Sequence, residues 1–492
     1  MLRKIRITLA IVFFALVSML FLDFTGTIHA WFGWMAKIQF FPAVMALNAG
    51  VIIAVLVLTL LLGRVYCSVI CPLGVFLDIV SWVSARRKHK NRRFSYHKAK
   101  SWLRYAVLIA FVVMAFAGLA GLLDPYSAYG RIAQTLFSPI YIWCNNLLAY
   151  VSERAGSYAF YEREVWLRAL PTLVLAAVTL VVVVILAWRD GRTYCNTICP
   201  VGTVLGIFSR HALFKPVIDT DKCRNCSLCA KGCKASCIDY KNHKIDYSRC
   251  VACMDCIDNC KHDALHFEMR KKSVASVTAK AADEQKTDAS RRSFLVGAGV
   301  ILGTAVAHAQ GKTVDGGLAV ILDKKIPNRN TPIVPPGAVS LKHLEDHCTG
   351  CQLCVAVCPN DVLRPGKLMK PHSSYERGYC RPECTKCSEV CPAGAILKIT
   401  PAEKSSTQIG HAVWVKKNCV PLTDGVECGN CARHCPAGAI TMVASNPNDE
   451  ASVKIPVVNE ERCIGCGACE NLCPARPFSA IYVEGHEQHK TI

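Results

Sequence analysis

Cys223-Arg224-Asn225-Cys226-Ser227-Leu228-Cys229-Ala230-Lys231-Gly232-Cys233 is followed seventeen residues later by Cys250-Val251-Ala252-Cys253-Met254-Asp255-Cys256-Ile257-Asp258-Asn259-Cys260. Each run sets three cysteines at two-residue gaps and a fourth after three more. In that order three thiolates wrap one iron–sulfur cubane while the fourth reaches to a second. The spacing therefore predicts one [4Fe-4S] cluster on Cys223, Cys226, Cys229 and Cys260, and its partner on Cys250, Cys253, Cys256 and Cys233. A zinc ribbon does not explain three closely spaced cysteines, because a tetrahedral ion has no use for that wrapping. Lys234 and Lys261 stand where proline usually follows the fourth cysteine, and Cys237 is a rival ligand to Cys233.

Working toward the C-terminus, four more groups appear: Cys348, Cys351, Cys354, Cys358; Cys380, Cys384, Cys387, Cys391; Cys419, Cys428, Cys431, Cys435; and Cys463, Cys466, Cys469, Cys473. Proline follows each last cysteine, at Pro359, Pro392, Pro436 and Pro474. The outer two groups have the bacterial ferredoxin spacing, and the middle two have stretched first gaps. That contrast suggests nested pairing: Cys348, Cys351 and Cys354 with Cys473; Cys463, Cys466 and Cys469 with Cys358; Cys380, Cys384 and Cys387 with Cys435; Cys419, Cys428 and Cys431 with Cys391. Sixteen thiolates would then hold four cubanes, making six [4Fe-4S] clusters in all. Disulfides between cysteines so close in sequence would be strained.

Toward the N-terminus the composition changes. The chain has 492 residues and 30 cysteines, 25 of which fall from Cys223 onward, whereas its apolar excess lies before residue 190. Ile7–Leu22, Ala43–Leu62, Tyr105–Leu123 and Leu170–Trp188 each approach the length that crosses about 30 Å of hydrocarbon. Arg3, Lys4 and Arg6 precede the first, and nine Lys/Arg between Arg86 and Arg104 follow the second, which places both in the cytoplasm. This pattern also explains the formal charge of +21 without nucleic acid. Phe24–Pro42, with Trp31 and Trp34, and Asp124–Leu167, with Tyr126, Tyr129, Tyr141, Trp143 and Tyr150, read as interfacial segments on the outer face. Cys144, alone there, is expected to be a small buried residue.

The apolar half contains a repeat. Residues 63–81 align without a gap to residues 191–209, with 11 of 19 positions identical, and each copy holds a Cys-x3-Cys-Pro motif. Two parallel two-helix repeats related by an axis along the membrane normal would bring Cys67, Cys71, Cys195 and Cys199 together as a further metal or redox site. Later, Arg291 and Arg292 precede an apolar run from Phe294 to Ala307 and then His308-Ala309, the layout of a twin-arginine export signal. Clusters assembled in the cytoplasm require such a route for a folded domain.

Residues 1 to about 270 resemble the NapH-type membrane ferredoxins of periplasmic nitrate reductase systems, through the four spans, the paired Cys-x3-Cys-Pro motifs and the two-cluster tail. Residues 290–485 resemble the NapG-type exported four-cluster ferredoxins, through the Arg291-Arg292 motif and the four cysteine groups. The expected architecture is a four-span helical membrane domain (1–210), an α+β two-cluster ferredoxin domain (215–270), a linker (271–289), a signal or anchor helix (290–310) and a four-cluster ferredoxin domain (335–485). The resemblance implies a quinol dehydrogenase module of the bacterial inner membrane. Its two-cluster domain would be cytoplasmic and its four-cluster domain periplasmic, with menaquinol as electron source and a separate periplasmic reductase as acceptor. No flavin or haem motif is present. Fusion of the two halves departs from both families, and a redox assembly or regulatory factor is the alternative reading. His29, Lys37 and Asp124 are quinone-contact candidates by depth and polarity.

Overall fold

A computed structural model of the chain describes residues 2–87, 94–269 and 323–492. The linker at 271–289 and the twin-arginine segment at 290–310 lie outside the described residues.

Helices Leu2–Leu22, Ala49–Leu62, Ser101–Phe116 and Leu170–Asp190 form where the four spans are expected. Two of them, Leu2–Leu22 and Leu170–Asp190, are long and apolar enough to cross a membrane. The other two are shorter than expected, at 14 and 16 residues. The run from Ala43 is interrupted at Leu47, whose φ is 51°, and a new helix starts when the Asn48 side chain accepts a hydrogen bond from the Val51 amide. Ser101–Phe116 stops just before Gly118, where a positive φ of 67° turns the chain. Val174, Val178, Val181 and Ile185 form an exposed apolar stripe at helical spacing, as do Ile109, Val113 and Phe116.

The two aromatic segments do not simply lie at an interface. Every residue of the helix Pro125–Ile132 is buried, including Tyr126 and Tyr129, which pack against Phe14, Phe21 and Phe76. Met35, Ala36, Gln39 and Phe40 are buried as well. Small side chains make this re-entry possible: a Cβ on Gly130 would stand 2.8 Å from the Phe21 ring and 2.5 Å from the Cys351 carbonyl. Trp31, Trp34, Trp143 and Tyr150 do remain exposed. Cys144 is exposed rather than buried, on the helix Ser138–Arg154.

The α+β expectation holds for both cysteine-rich regions. In the first, β1 (Phe214–Ile218) pairs antiparallel with β4 (Leu265–Met269), and β2 (Ile238–Asp239) with β3 (Lys244–Ile245). In the second, β5 (Leu363–Pro365) pairs with β6 (Pro371–Ser373), β7 (Thr407–Trp414) with β10 (Ile481–Thr491), and β8 (Ile440–Asn446) with β9 (Asp449–Val458).

The two regions dock at opposite ends of the helices. At the start of Leu2–Leu22, Arg3 binds Asp255 and Asp258 of the first region. Beyond its other end, Lys386 of the second region donates to the Thr25 carbonyl at 3.3 Å, and Asp361 receives Arg163 and Arg168. Twenty-one helical residues span about 30 Å. A continuous apolar core runs between the regions, from Val251 and Cys253 through Leu73, Leu77 and Tyr129 to Cys351, Leu353 and Val390.

Candidate metal centres

The first region gathers its cysteines in two groups. Cys223, Cys226, Cys229 and Cys260 line one pocket, and Cys233, Cys237, Cys250, Cys253 and Cys256 line another. The loops that wrap these sites use left-handed backbone at matching positions, Asn225 and Ser227 in one motif and Ala252 and Met254 in the other. Gly350 and Gln352, and Gly465 and Gly467, repeat the pattern in the two later motifs of the same spacing. Non-glycine residues there are strained, and such strain collects at binding sites. Amides also aim at sulfur: Ala264 donates to Cys260 Sγ at 3.3 Å. Cys237 sits 3.6 Å from Cys233 Sγ and also reaches Cys250, so both rival ligands are at hand.

In the second region the nested pairing is wrong. Cys391 faces Cys348, Cys351 and Cys354, and Cys358 faces Cys380 and Cys387. Cys473 faces Cys419 and Cys431, and Cys435 faces Cys463, Cys466 and Cys469. Neighbouring motifs therefore exchange their fourth cysteines, in two successive units. The physical reason is local: the helix Leu353–Val357 packs on Lys386–Val390, and Asn430–Arg433 on Ala468–Asn471. Closing these shorter loops costs less entropy than joining the first motif to the last. The stretched gap from Cys419 to Cys428 is taken up by a short helix, Val420–Thr423.

These sites fit iron–sulfur cubanes. Burial pushes the thiols of Cys348, Cys351 and Cys466 up to about 12, so each keeps its proton unless a metal displaces it. Gly350, Ala439 and Ala480 donate amides to Cys348, Cys435 and Cys473 at 3.3–3.4 Å. Lys404 lies beside Cys380 and Lys370 beside Cys348, while Lys324 donates to the Cys473 carbonyl at 3.3 Å. Such amides and cations favour the negative charge of a cluster. Among the described residues, no three His, Cys, Asp or Glu are gathered closely enough to hold a single ion.

The two Cys-x3-Cys-Pro copies meet inside the helical bundle, where all four cysteines are buried. In both copies the chain makes the same wide turn, with Cys71 donating its amide to the Tyr66 carbonyl and Cys199 to that of Tyr194, each at 3.0 Å. The arginines cross between copies: Arg192 Nη1 reaches the Cys67 carbonyl at 2.7 Å, and Arg64 Nη2 the Cys195 carbonyl at 3.3 Å. Arg64 also stands 4.0 Å from Cys67 Sγ, and Arg192 3.8 Å from Cys195 Sγ.

Beside this site lies an ionic hub that sequence reasoning does not reach. Asp78 accepts from Arg192 at 2.8 Å, Arg6 at 3.1 Å and Lys234 at 3.3 Å, and Lys234 also binds Asp255 at 2.9 Å. Burial alone would raise the Asp78 carboxyl, but Arg192 and Lys234 outweigh it and hold Asp78 well below the usual carboxylate range. Lys234 thus replaces the expected proline with a contact that ties the two-cluster region to the bundle. Arg64 and Arg192 occupy the same place in the repeat, the one signal in the sequence that marks them. At the far end, His29 lies 3.5 Å from Asp23, Asp124 accepts from the Ser127 amide and hydroxyl, and Lys37 is exposed. The quinone candidates are not joined by any hydrogen bond or ion pair among the described residues.

Comparison with known proteins agrees with the cysteine chemistry. Residues 45–91 and 170–218 match the family described as 4Fe-4S binding domain, and 347–420 and 426–476 match two families described as 4Fe-4S dicluster domain. The chain is 27% identical over 176 residues to the ferredoxin-type protein NapF of Escherichia coli K12, covering 35% of this chain and 99% of that one. It is 30% identical over 178 residues to the methylamine utilization ferredoxin-type protein MauM of Paracoccus denitrificans, covering 34% and 79%. With MauM of Methylophilus methylotrophus the identity is 28% over 208 residues, covering 40% and 86%. No solved structure matches.

Proposed function

We propose a function from one premise, that the chain belongs to the ferredoxin-type iron–sulfur protein family: it works as a membrane-bound quinol dehydrogenase module. Its 4Fe-4S ferredoxin domains carry electrons. The finer reading is a NapH-type membrane half fused to a NapG-type half, with four spans in a bacterial inner membrane. Menaquinol is the electron source, six [4Fe-4S] clusters are the carriers, and a separate periplasmic reductase is the acceptor. The two-cluster domain faces the cytoplasm and the four-cluster domain the periplasm.

One observation carries this reading: two ferredoxin regions sit at opposite ends of one set of apolar helices, whose outward faces are rows of exposed Val, Ile and Phe. A soluble carrier has no use for such rows, and they suit lipid. Arg3 and Arg6 at the two-cluster end agree with a cytoplasmic side. When bound, the clusters supply one-electron carriers; the protein's own residues hold them, exclude water and set the surrounding charge. Cys223 to Cys260 would hold two clusters and Cys348 to Cys473 four, grouped as the geometry above pairs them.

The test is to add a menaquinol analogue to vesicles containing the purified chain and follow cluster reduction by absorbance and electron paramagnetic resonance. Rapid reduction, in protein carrying about 24 irons, is the expected result. Fully loaded protein that the quinol never reduces would sink the quinol reading and favour an assembly or regulatory role.

A further inference from the structure

We infer that the two stretches matching a 4Fe-4S binding domain share a single cluster, held jointly by Cys67, Cys71, Cys195 and Cys199, and that this centre links the two ferredoxin regions electronically through the helical bundle. The inference rests on the proposed clusters at either end and adds a seventh centre between them.

Charge carries the argument furthest. Arg64 and Arg192 are both fully buried, at 0% exposure. Arg192 has Asp78, but the repeat has Gly206 where Asp78 stands in the first copy, and among the described residues Arg64 has no carboxylate partner. Its Nη atoms meet the Asn196 side chain at 3.0 Å, the carbonyls of Ser248 and Cys195, and Cys67 Sγ. An uncompensated buried guanidinium is costly. Four thiolates around an iron–sulfur core carry about −2 and would supply the missing counter-charge.

Shape agrees. A Cβ on Gly74 would lie 2.2 Å from the Cys67 carbonyl, and one on Gly202 2.3 Å from that of Cys195, so each helix after the motif is pressed against the backbone of its own motif turn. Gly202 donates its amide to Cys199 Sγ at 3.3 Å, the same kind of contact that Cys260, Cys435 and Cys473 receive.

Position makes the site a link. On one side, Arg64 bonds the Ser248 carbonyl at 2.9 Å, two residues before Cys250, and Asn196 donates to the Ala235 carbonyl between Cys233 and Cys237. On the other side, Tyr66 and Tyr194 lie within electrostatic reach of both the motif cysteines and Asp124. Tyr126, two residues on, lies within reach of Cys351 and Cys391. The Tyr126 hydroxyl and one Asp124 carboxylate oxygen are buried without a hydrogen-bond partner along this path. The step is a one-electron transfer in which one iron–sulfur centre is oxidised and the next reduced, with no bond broken and no proton moved.

The experiment compares the full chain with a Cys67→Ala/Cys195→Ala double variant, one change in each copy. Iron and labile sulfide are counted, and the midpoints are titrated by electron paramagnetic resonance. The variant should lack two or four irons that the parent holds beyond about 24 and should lose one midpoint. In sealed vesicles with dithionite on the two-cluster side, reduction of ferricyanide on the other side should be lost. Equal iron, equal midpoints and equal ferricyanide reduction in parent and variant would overturn the inference while leaving the six-cluster reading intact; a parent carrying far fewer than 24 irons would strike the six-cluster reading instead. If the double variant does not accumulate, Arg64→Gln keeps the thiols and removes the cation. It should move one midpoint to lower potential and leave the others in place, and no movement would again overturn the inference.

Discussion

Asp78→Asn removes a carboxylate that binds cations of the first helix, the repeat and the two-cluster region at once. The cost can be apportioned from the geometry. Lys234 would keep Asp255 at 2.9 Å and Arg6 would keep it at 4.0 Å, so neither cation is orphaned. Arg192, at 0% side-chain exposure, would keep the Cys67 carbonyl and a neutral asparagine oxygen but lose its only carboxylate among the described residues. Breaking a buried ion pair from one side costs about 3–5 kcal/mol, here borne mainly by Arg192. That corresponds to a shift of roughly 10²–10⁴ in the equilibrium between docked and open arrangements. Limited proteolysis in detergent should therefore cut residues 214–269 far faster in the variant, and iron should be lost on standing. The pH dependence has a definite sign. Because the folded carboxyl is depressed, its stabilisation is fully present above about pH 4 and is lost as pH falls further, a loss the asparagine variant should not show. Equal proteolysis rates and equal iron retention in the two proteins at pH 7 would refute the reasoning.

Three further outcomes are expected. Cys391→Ser should disable the site of Cys348, Cys351 and Cys354 and spare that of Cys463, Cys466 and Cys469, whereas Cys435→Ser should do the reverse; iron counts and the surviving resonance signals of the two variants distinguish this pairing from a nested one. Gly74→Ala should lower the melting temperature by several degrees, since its methyl would meet the Cys67 carbonyl and Arg192 at 2.2 and 2.7 Å, an overpacking that costs about 1–3 kcal/mol. Replacing Arg291 and Arg292 by lysine should leave residues 310–492 protected from protease added to spheroplasts, while the parent's C-terminal half is digested; equal accessibility would remove the export reading.

Sequence alone determined the chemistry of the chain. Ligand spacing is a local property, so the order of Cys223 to Cys260 is enough to propose two crossed sites; the pockets hold these cysteines, with Cys237 beside Cys233 in the second. The repeat was equally legible, because two segments that share 11 of 19 residues and the same Gly-Arg-x-Tyr-Cys turn suggest a common arrangement. Tertiary structure decided what spacing leaves open. Which fourth cysteine crosses to which motif depends on which short helices pack, and the packing of Leu353–Val357 on Lys386–Val390 chose neighbours over a nested order. The aromatic content of residues 124–167 suggested an interfacial position, but the close approach that Gly130 permits to Phe21 and Cys351 lets the helix Pro125–Ile132 enter the bundle. The roles of Asp78, Arg64 and Lys234 were invisible for a related reason: a buried charge is defined by its partners, and Asp78–Arg192, Asp78–Lys234 and Arg64–Asn196 each join residues more than 100 positions apart in the chain.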